Sequence, residues 1–247
     1  MCGSNRSYLQ KLATMVDDMK IIPEERKICS TCIQEKQTKL PHNETRVRAR
    51  KPLELIHSDV FGPITPTSYD GKRYLVTFID DFTHFTVCYT MESKSCVYQC
   101  FRKYESMVTT LFSSKIKRFR CDNGREYLSN EMKEYFEKQG IQFEFTVPYT
   151  PQQNGVAERM NRTIAERARC MLLHANVSKN LWSEAVMAAV YVINRCPTTA
   201  LKNVLPATLW FGRRQKLDKL KIFGSKAYLH VSKQKQKGKF ESRSNFV

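Results

Sequence analysis

The chain has 247 residues, 41% apolar and 11% aromatic, enough for one substantial core with appendages and too apolar for a disordered chain. Forty-one Lys and Arg against 24 Asp and Glu give a formal charge of +17, which points to a polyanionic partner. Nucleic acid is favoured over membrane headgroups because no basic amphipathic helix stands out. Nine cysteines, an odd number scattered through helix-like and strand-like segments, and an N-terminus without a long apolar run suit a reducing, intracellular setting. The longest apolar stretch, Ala185 to Ile193, is shorter than the about 20 residues of a helical span, so no membrane segment is expected.

Residues 1 to 44 are polar and basic, with one short amphipathic helix expected around Tyr8 to Met19, followed by Cys29-Ser-Thr-Cys32. Residues 45 to 52 read as a basic linker: Thr45 to Lys51 holds four basic residues in seven and no apolar period. From 53 to 196 the pattern is that of a globular core. Leu53 to Val60 and Arg73 to Ile79 are short runs of large apolar and β-branched residues bounded by turn signals. Phe85 to Met91 follows closely enough to pair antiparallel with the second run. Helical spacing over Ser95 to Phe112 precedes a strand at Ile116 to Cys121, a helix at Asn130 to Gln139 stopped by Gly140, and a strand at Ile141 to Val147. Two helices follow, Val156 to about His174 and Leu181 to about Arg195. In the first, Ala157, Met160, Ile164, Ala168 and Met171 form a core stripe, leaving Glu158, Asn161, Arg162, Ala165 and Arg169 free to face a substrate. Residues 197 to 247 read as a basic extension, the start of a further region.

Three acids stand where strand ends or a helix start can aim them at one point: Asp59, Asp122 and Glu158. Any one of them alone suits a turn or cap better than a ligand role, and Asp122 opens Asp-Asn-Gly, a turn signal in itself. Gathered carboxylates repel one another, so a cluster of three calls for a divalent cation. Two Mg²⁺ ions about 4 Å apart can activate an attacking oxygen and stabilise the leaving oxygen of a phosphodiester. Asp80 and Asp81 also end a strand, and Glu126 follows Asp122 closely; Asp80-Asp81-Phe-Thr, however, suits a hairpin turn. His57 reads as a strand-filling histidine.

The segments His57-Ser-Asp59-Val, Cys121-Asp122-Asn-Gly-Arg-Glu126-Tyr and Thr150-Pro-Gln-Gln-Asn-Gly-Val-Ala-Glu158-Arg-Met-Asn-Arg162 resemble the catalytic blocks of copia-type retrotransposon integrases. Thirty-five residues separate Asp122 from Glu158, the spacing of the retroviral D,D-35-E pattern. In weaker form the resemblance runs from about Ser7 to the end of the chain, through Leu181-Trp-Ser-Glu-Ala and Leu220-Lys-Ile-Phe-Gly. It implies an α/β, ribonuclease-H-like fold with a five-stranded mixed sheet flanked by helices, agreeing with the strand order read from the residues. It implies Asp59, Asp122 and Glu158 as catalytic ligands of Mg²⁺ or Mn²⁺, with Asn154, Gly155, Asn161, Arg162 and Arg169 toward nucleic acid. The implied reactions are 3′-end processing and strand transfer of element DNA into host DNA, by a homo-oligomer on paired ends, in the nucleus.

Cys29 and Cys32 are half of a tetrahedral zinc site. The family supplies the other half from an upstream His pair, and no histidine precedes His42, so the first 44 residues read as a truncated zinc-binding-like module and Zn²⁺ is not expected to be held. Two other readings share much of this pattern: a non-catalytic, nucleic-acid-binding relic or domesticated fragment of such an element, and an RNase-H-like nuclease acting on RNA or hybrid.

Overall fold

The computed structural model describes residues 48–145, 154–218, 220–231 and 244–246. By backbone contacts the chain divides into residues 1–45 and 46–247, and every described residue belongs to the second unit. The expected helix near Tyr8, the Cys29 and Cys32 pair, and the lysines beyond Ser232 lie outside the described residues.

Strands β1 (Ile56–Phe61), β2 (Tyr74–Asp80) and β3 (Thr86–Met91) form an antiparallel meander; helix α1 (Val97–Phe112) then leads into β4 (Arg118–Cys121), and helix α2 (Asn130–Gln139) into β5 (Gln142–Phe145). Helices α3 (Gly155–Ala175), α4 (Trp182–Ile193) and the short α5 (Pro206–Phe211) follow, and β6 (Tyr228–His230) pairs with β7 (Ser244–Phe246). The main sheet has the order β3-β2-β1-β4-β5. β1 is antiparallel to β2 and parallel to β4, which is parallel to β5. The expected order of elements is therefore observed, in a mixed sheet.

Local sequence explains where elements stop and start. The Ser129 hydroxyl accepts from the Met132 amide at the start of α2, and Gly140 ends it in the left-handed region at φ 72°. Gly62 turns the chain out of β1 at φ 134°, where a Cβ would stand 2.8 Å from the Arg73 carbonyl; only glycine lets the two backbones approach so closely.

The sheet buries both faces. Alternation sends Val76 and Phe78 of β2 to one side, where Phe78 stacks on Tyr104 of α1 at 4.8 Å and Phe119 of β4 meets Phe136 of α2 edge-on at 5.3 Å. Leu75 and Cys88 face the other side, against Ile164, Ala168 and Leu172 of α3 and Ala185 and Ala189 of α4. Of the stripe expected to be core, Ala157, Ile164 and Ala168 are buried, while Met160 and Met171 are half-buried at its edge.

Two boundaries read from the sequence shift. Trp210 of α5, in what was read as a basic extension beyond residue 196, stacks on Phe85 at 4.6 Å, meets Phe112 edge-on at 4.8 Å and belongs to the main core. The core thus continues through α5, where one large apolar side chain is set among basic residues. The end of the basic stretch is also fastened: the Ala49 amide donates to Asp81 Oδ2 at 2.7 Å, and the Arg48 guanidinium donates to the carbonyls of Asp81, Phe82 and Ala200. Arg48 holds this corner by donating to carbonyls of two separate segments, which a charge count along the chain does not reveal.

Candidate active site

Asp59 lies near the carboxyl end of β1, the middle strand of the sheet. The parallel register pairs Ile56 with Phe119 and His57 with Arg120; two residues further on, Asp59 and Asp122 stand at the same level. Neighbouring strands lie on the order of 4.8 Å apart, so the two aspartates are neighbours by construction. Glu158 sits exposed in the first turn of α3. The structure thus brings all three acids to one end of the sheet.

Their electrostatics follow from that placement. Burial pushes the Asp59 carboxyl from its ordinary 3.8 up to about 7, and the charges of Asp122 and, more weakly, Glu158 push in the same direction. The Asn161 side chain opposes this shift by donating to Asp59 Oδ2 at 2.9 Å. Asn161 is itself fixed: its Oδ1 accepts from the Thr77 hydroxyl at 2.9 Å, and Thr77 is the cross-strand partner of Asp59.

Ser58 joins the segments that carry the acids. Its hydroxyl shares a 2.7 Å hydrogen bond with the Tyr127 hydroxyl, both fully buried, which ties β1 to the turn after Asp122. Its carbonyl accepts from Asn154 Nδ2 at 3.3 Å, and the Asn154 carbonyl in turn accepts from the amides of Ala157 and Glu158. One residue beside Asp59 therefore fixes both of the other acid-bearing segments. Asp122 bends its own loop, its Oδ1 accepting from the Gly124 amide at 3.1 Å, so the turn expected of Asp-Asn-Gly is formed by the same carboxylate that faces Asp59.

Asp80 and Asp81, two of the rival acids, are engaged elsewhere. Asp80 pairs with Ile56, three residues from the Asp59 position and roughly 10 Å along the strand. Its oxygens accept from the Leu53 amide and from the Thr83 amide and hydroxyl. Asp81 Oδ1 stands 2.9 Å from His57 Nε2, both groups buried, so His57 fills the strand and packs the corner, as its place in the sequence suggested. Glu126 pairs with Lys94 at 2.8 Å yet stays beside Asp122, its Oε2 and Asp122 Oδ1 each 2.9 Å from where a Cβ on Gly124 would stand.

Of the residues expected to face nucleic acid, Arg162 and Arg169 are exposed on the Glu158 side of α3, whereas Asn154, Gly155 and Asn161 are buried. Asn154 and Asn161 point inward because they donate to a backbone carbonyl and a carboxylate of β1, and these two hold the site rather than present a surface. Ser58, Thr77 and Tyr127 were missed, since their roles depend on hydrogen bonds across 69 to 96 positions of sequence.

The donor set suits a divalent cation: three hard oxygen donors, one of them raised above its ordinary pKa by burial and by two like charges that a cation would offset. Among the described residues no three His, Cys, Asp or Glu side chains are gathered closely enough to hold a metal ion. The acids are thus neighbours without being drawn into a shared shell.

Residues 49–151 match the family model described as the integrase core domain. Over 218 residues the chain is 42% identical to the Retrovirus-related Pol polyprotein from transposon TNT 1-94 of Nicotiana tabacum, covering 88% of this chain and 16% of that polyprotein. Over 201 residues it is 38% identical to the corresponding polyprotein from transposon RE1 of Arabidopsis thaliana, covering 81% and 13%. The chain spans less than a fifth of the length of these relatives.

Among solved structures it resembles a chain of the simian T-cell lymphotropic virus intasome in complex with PP2A regulatory subunit B56 gamma, with a TM-score of 0.60 at 17% identity, covering 87% of this chain and 74% of that one. It also resembles the HTLV-2 integrase catalytic core domain in complex with magnesium (trimeric form), with a TM-score of 0.50 at 18% identity, covering 66% and 99%. The fold is accordingly ribonuclease-H-like, the class to which polynucleotidyl transferases belong. Sequence relatives narrow the class further. The chain carries a retrotransposon-type integrase core.

Proposed function

We propose that the chain is a divalent-metal-dependent DNA integrase of the copia type, carrying out 3′-end processing and strand transfer of retrotransposon DNA into host DNA. The observation that carries this reading is the placement of Asp59, Asp122 and Glu158 at one end of the sheet, with the Asp59 carboxyl pushed up to about 7 by burial and by the charges of the other two. Mg²⁺ or Mn²⁺, bound by these three acids, would supply charge stabilisation at the phosphodiester and a more acidic attacking hydroxyl.

The chain's own residues set the geometry. Asn161 fixes the orientation of the Asp59 carboxyl, and Ser58 keeps the Asp122 and Glu158 segments in register with it. Arg162 and Arg169 stand roughly 6 and 16 Å along α3 from Glu158, placed to take successive phosphates of a backbone leading into the site. The charge of +17 supports DNA as the partner, for both element ends and host target. Self-association on paired ends and action in the nucleus belong to the same reading. No helix among the described residues is long and apolar enough to cross a membrane.

Joining of a labelled DNA end to a plasmid in Mg²⁺ or Mn²⁺, lost in Asp122→Asn and Glu158→Gln, is the expected result. Cleavage without joining would assign the site to an RNase-H-like nuclease, and salt-sensitive binding with neither would assign the chain to the non-catalytic relic.

A further inference from the structure

Beside the carboxylates lies a trough of about 590 Å³ between the loop that leaves β1 and the outer turns of α3. Phe61 and Pro63 wall one side, Ala165 and Leu173 the other, and Arg169 and Lys179 stand at its rim. The size and the apolar lining with a few polar groups are those of a ligand site, since such pockets run about 300–1,000 Å³. Phe61 and Leu173 are 40% and 70% exposed, so their apolar surfaces are presented rather than spent on the core. Neither Arg169 nor Lys179 has a carboxylate partner among the described residues.

Its position relates it to the chemistry. Phe61 follows Asp59 by two residues in the same strand, so the two side chains share one face of the sheet roughly 7 Å apart along it. Ala165 and Arg169 continue the Glu158 and Arg162 stripe of α3, Ala165 about 10 Å beyond Glu158. A strand whose phosphodiester lies at the acids reaches the trough within a few nucleotides. Resting on the function proposed above, we infer that the trough is a subsite for an unpaired nucleotide of the DNA, its base against Phe61 and Leu173 and its phosphate against Arg169 and Lys179. A base stacked in a duplex has no free face to offer such walls, so the subsite selects frayed or single-stranded ends. An aromatic platform flanked by cations is the usual means of holding unpaired bases.

The test uses the full chain, in EDTA so that no chemistry intervenes, and compares a blunt duplex with one whose last two nucleotides are unpaired. The unpaired end is expected to bind roughly tenfold tighter, the order one stacked base contributes. A 4-thiothymidine at its terminus should photocrosslink to peptides carrying Phe61–Pro63 or Ala165–Leu173. Ala165→Phe, which fills the trough, and Leu173→Glu, which places a negative charge at its rim, should abolish the preference while leaving blunt-duplex binding in place. Leu173 already faces solvent, so its variant keeps the comparison open if the larger substitution unfolds the protein. Equal binding of both DNAs, a crosslink elsewhere, or a preference that survives both variants overturns the subsite alone. Saturation of the trough by an acidic, apolar peptide and not by the frayed end reassigns it to a protein partner. Failure to bind either DNA in a salt-sensitive way overturns the proposed function together with it.

Discussion

Replacing Asp59 with asparagine removes the charge that the fold penalises most while keeping the shape and the acceptor that Asn161 uses. The unfolded carboxyl titrates near 3.8 and the folded one at about 7, a difference of about three pH units, or roughly 4 kcal/mol at about 1.4 kcal/mol per unit. The sign follows from linkage: the folded state binds the proton more tightly, so below the unfolded pKa the penalty vanishes. It grows as pH rises through the interval and is complete above the folded pKa. Asparagine must be desolvated too, which returns part of the gain. The metal-free Asp59→Asn protein should therefore be more stable than the parent by about 1–3 kcal/mol at pH 8 and nearly equal to it at pH 4. Urea denaturation in EDTA at the two pH values measures both numbers. Adding Mg²⁺ at pH 8 should stabilise the parent and leave the variant unmoved, because only the parent keeps the full ligand set. A stability difference that is the same at both pH values, or a variant less stable at pH 8, would refute the electrostatic account of the site.

Tyr127→Phe leaves the buried Ser58 hydroxyl without its partner and should cost about 1–3 kcal/mol; end-joining should fall further than the loss of folded protein explains, as compared by activity per folded molecule. Trp210→Ala should cost about 3–5 kcal/mol, seen as a lower urea midpoint, because it empties a site against Phe85 and Phe112; a chain ended at residue 196, which also loses buried Leu201 and Ala207, should lose more. Arg162→Ala and Arg169→Ala should each weaken binding to DNA of any sequence and reduce the slope of log affinity against log salt by about one, whereas an unchanged slope would place both arginines off the DNA path.

Order and type of the elements were legible because the alternation in β2 and β3, the spacing in α1 and the stop at Gly140 are local signals. The acids were legible through motifs of short range and one fixed spacing. What sequence left open was the choice between Asp59 and Asp80, which the structure addresses by showing Asp80 bonded to Leu53 and Thr83. Hidden altogether was the direction of Asn161: its helical phase places it beside Arg162, and only the approach of β1 and β2 to that side of α3 turns it into a partner of Asp59 and Thr77. Trp210 was obscured for a different reason, since the aromatic residues it meets are separated from it by 98 and more positions.

The Ser58 junction holds the frame of the site without any help from Asp59. Tyr127 and Asn154 grip β1 through a hydroxyl and a carbonyl of Ser58, and no carboxylate takes part in either bond. Mutational drift in a copy released from the demand for chemistry would therefore meet no folding barrier at Asp59, and would gain stability by discarding it. Folding alone does not preserve this aspartate, so among descendants of such an element its replacement should be an early mark of retirement, appearing while the sheet and both cores still read as intact.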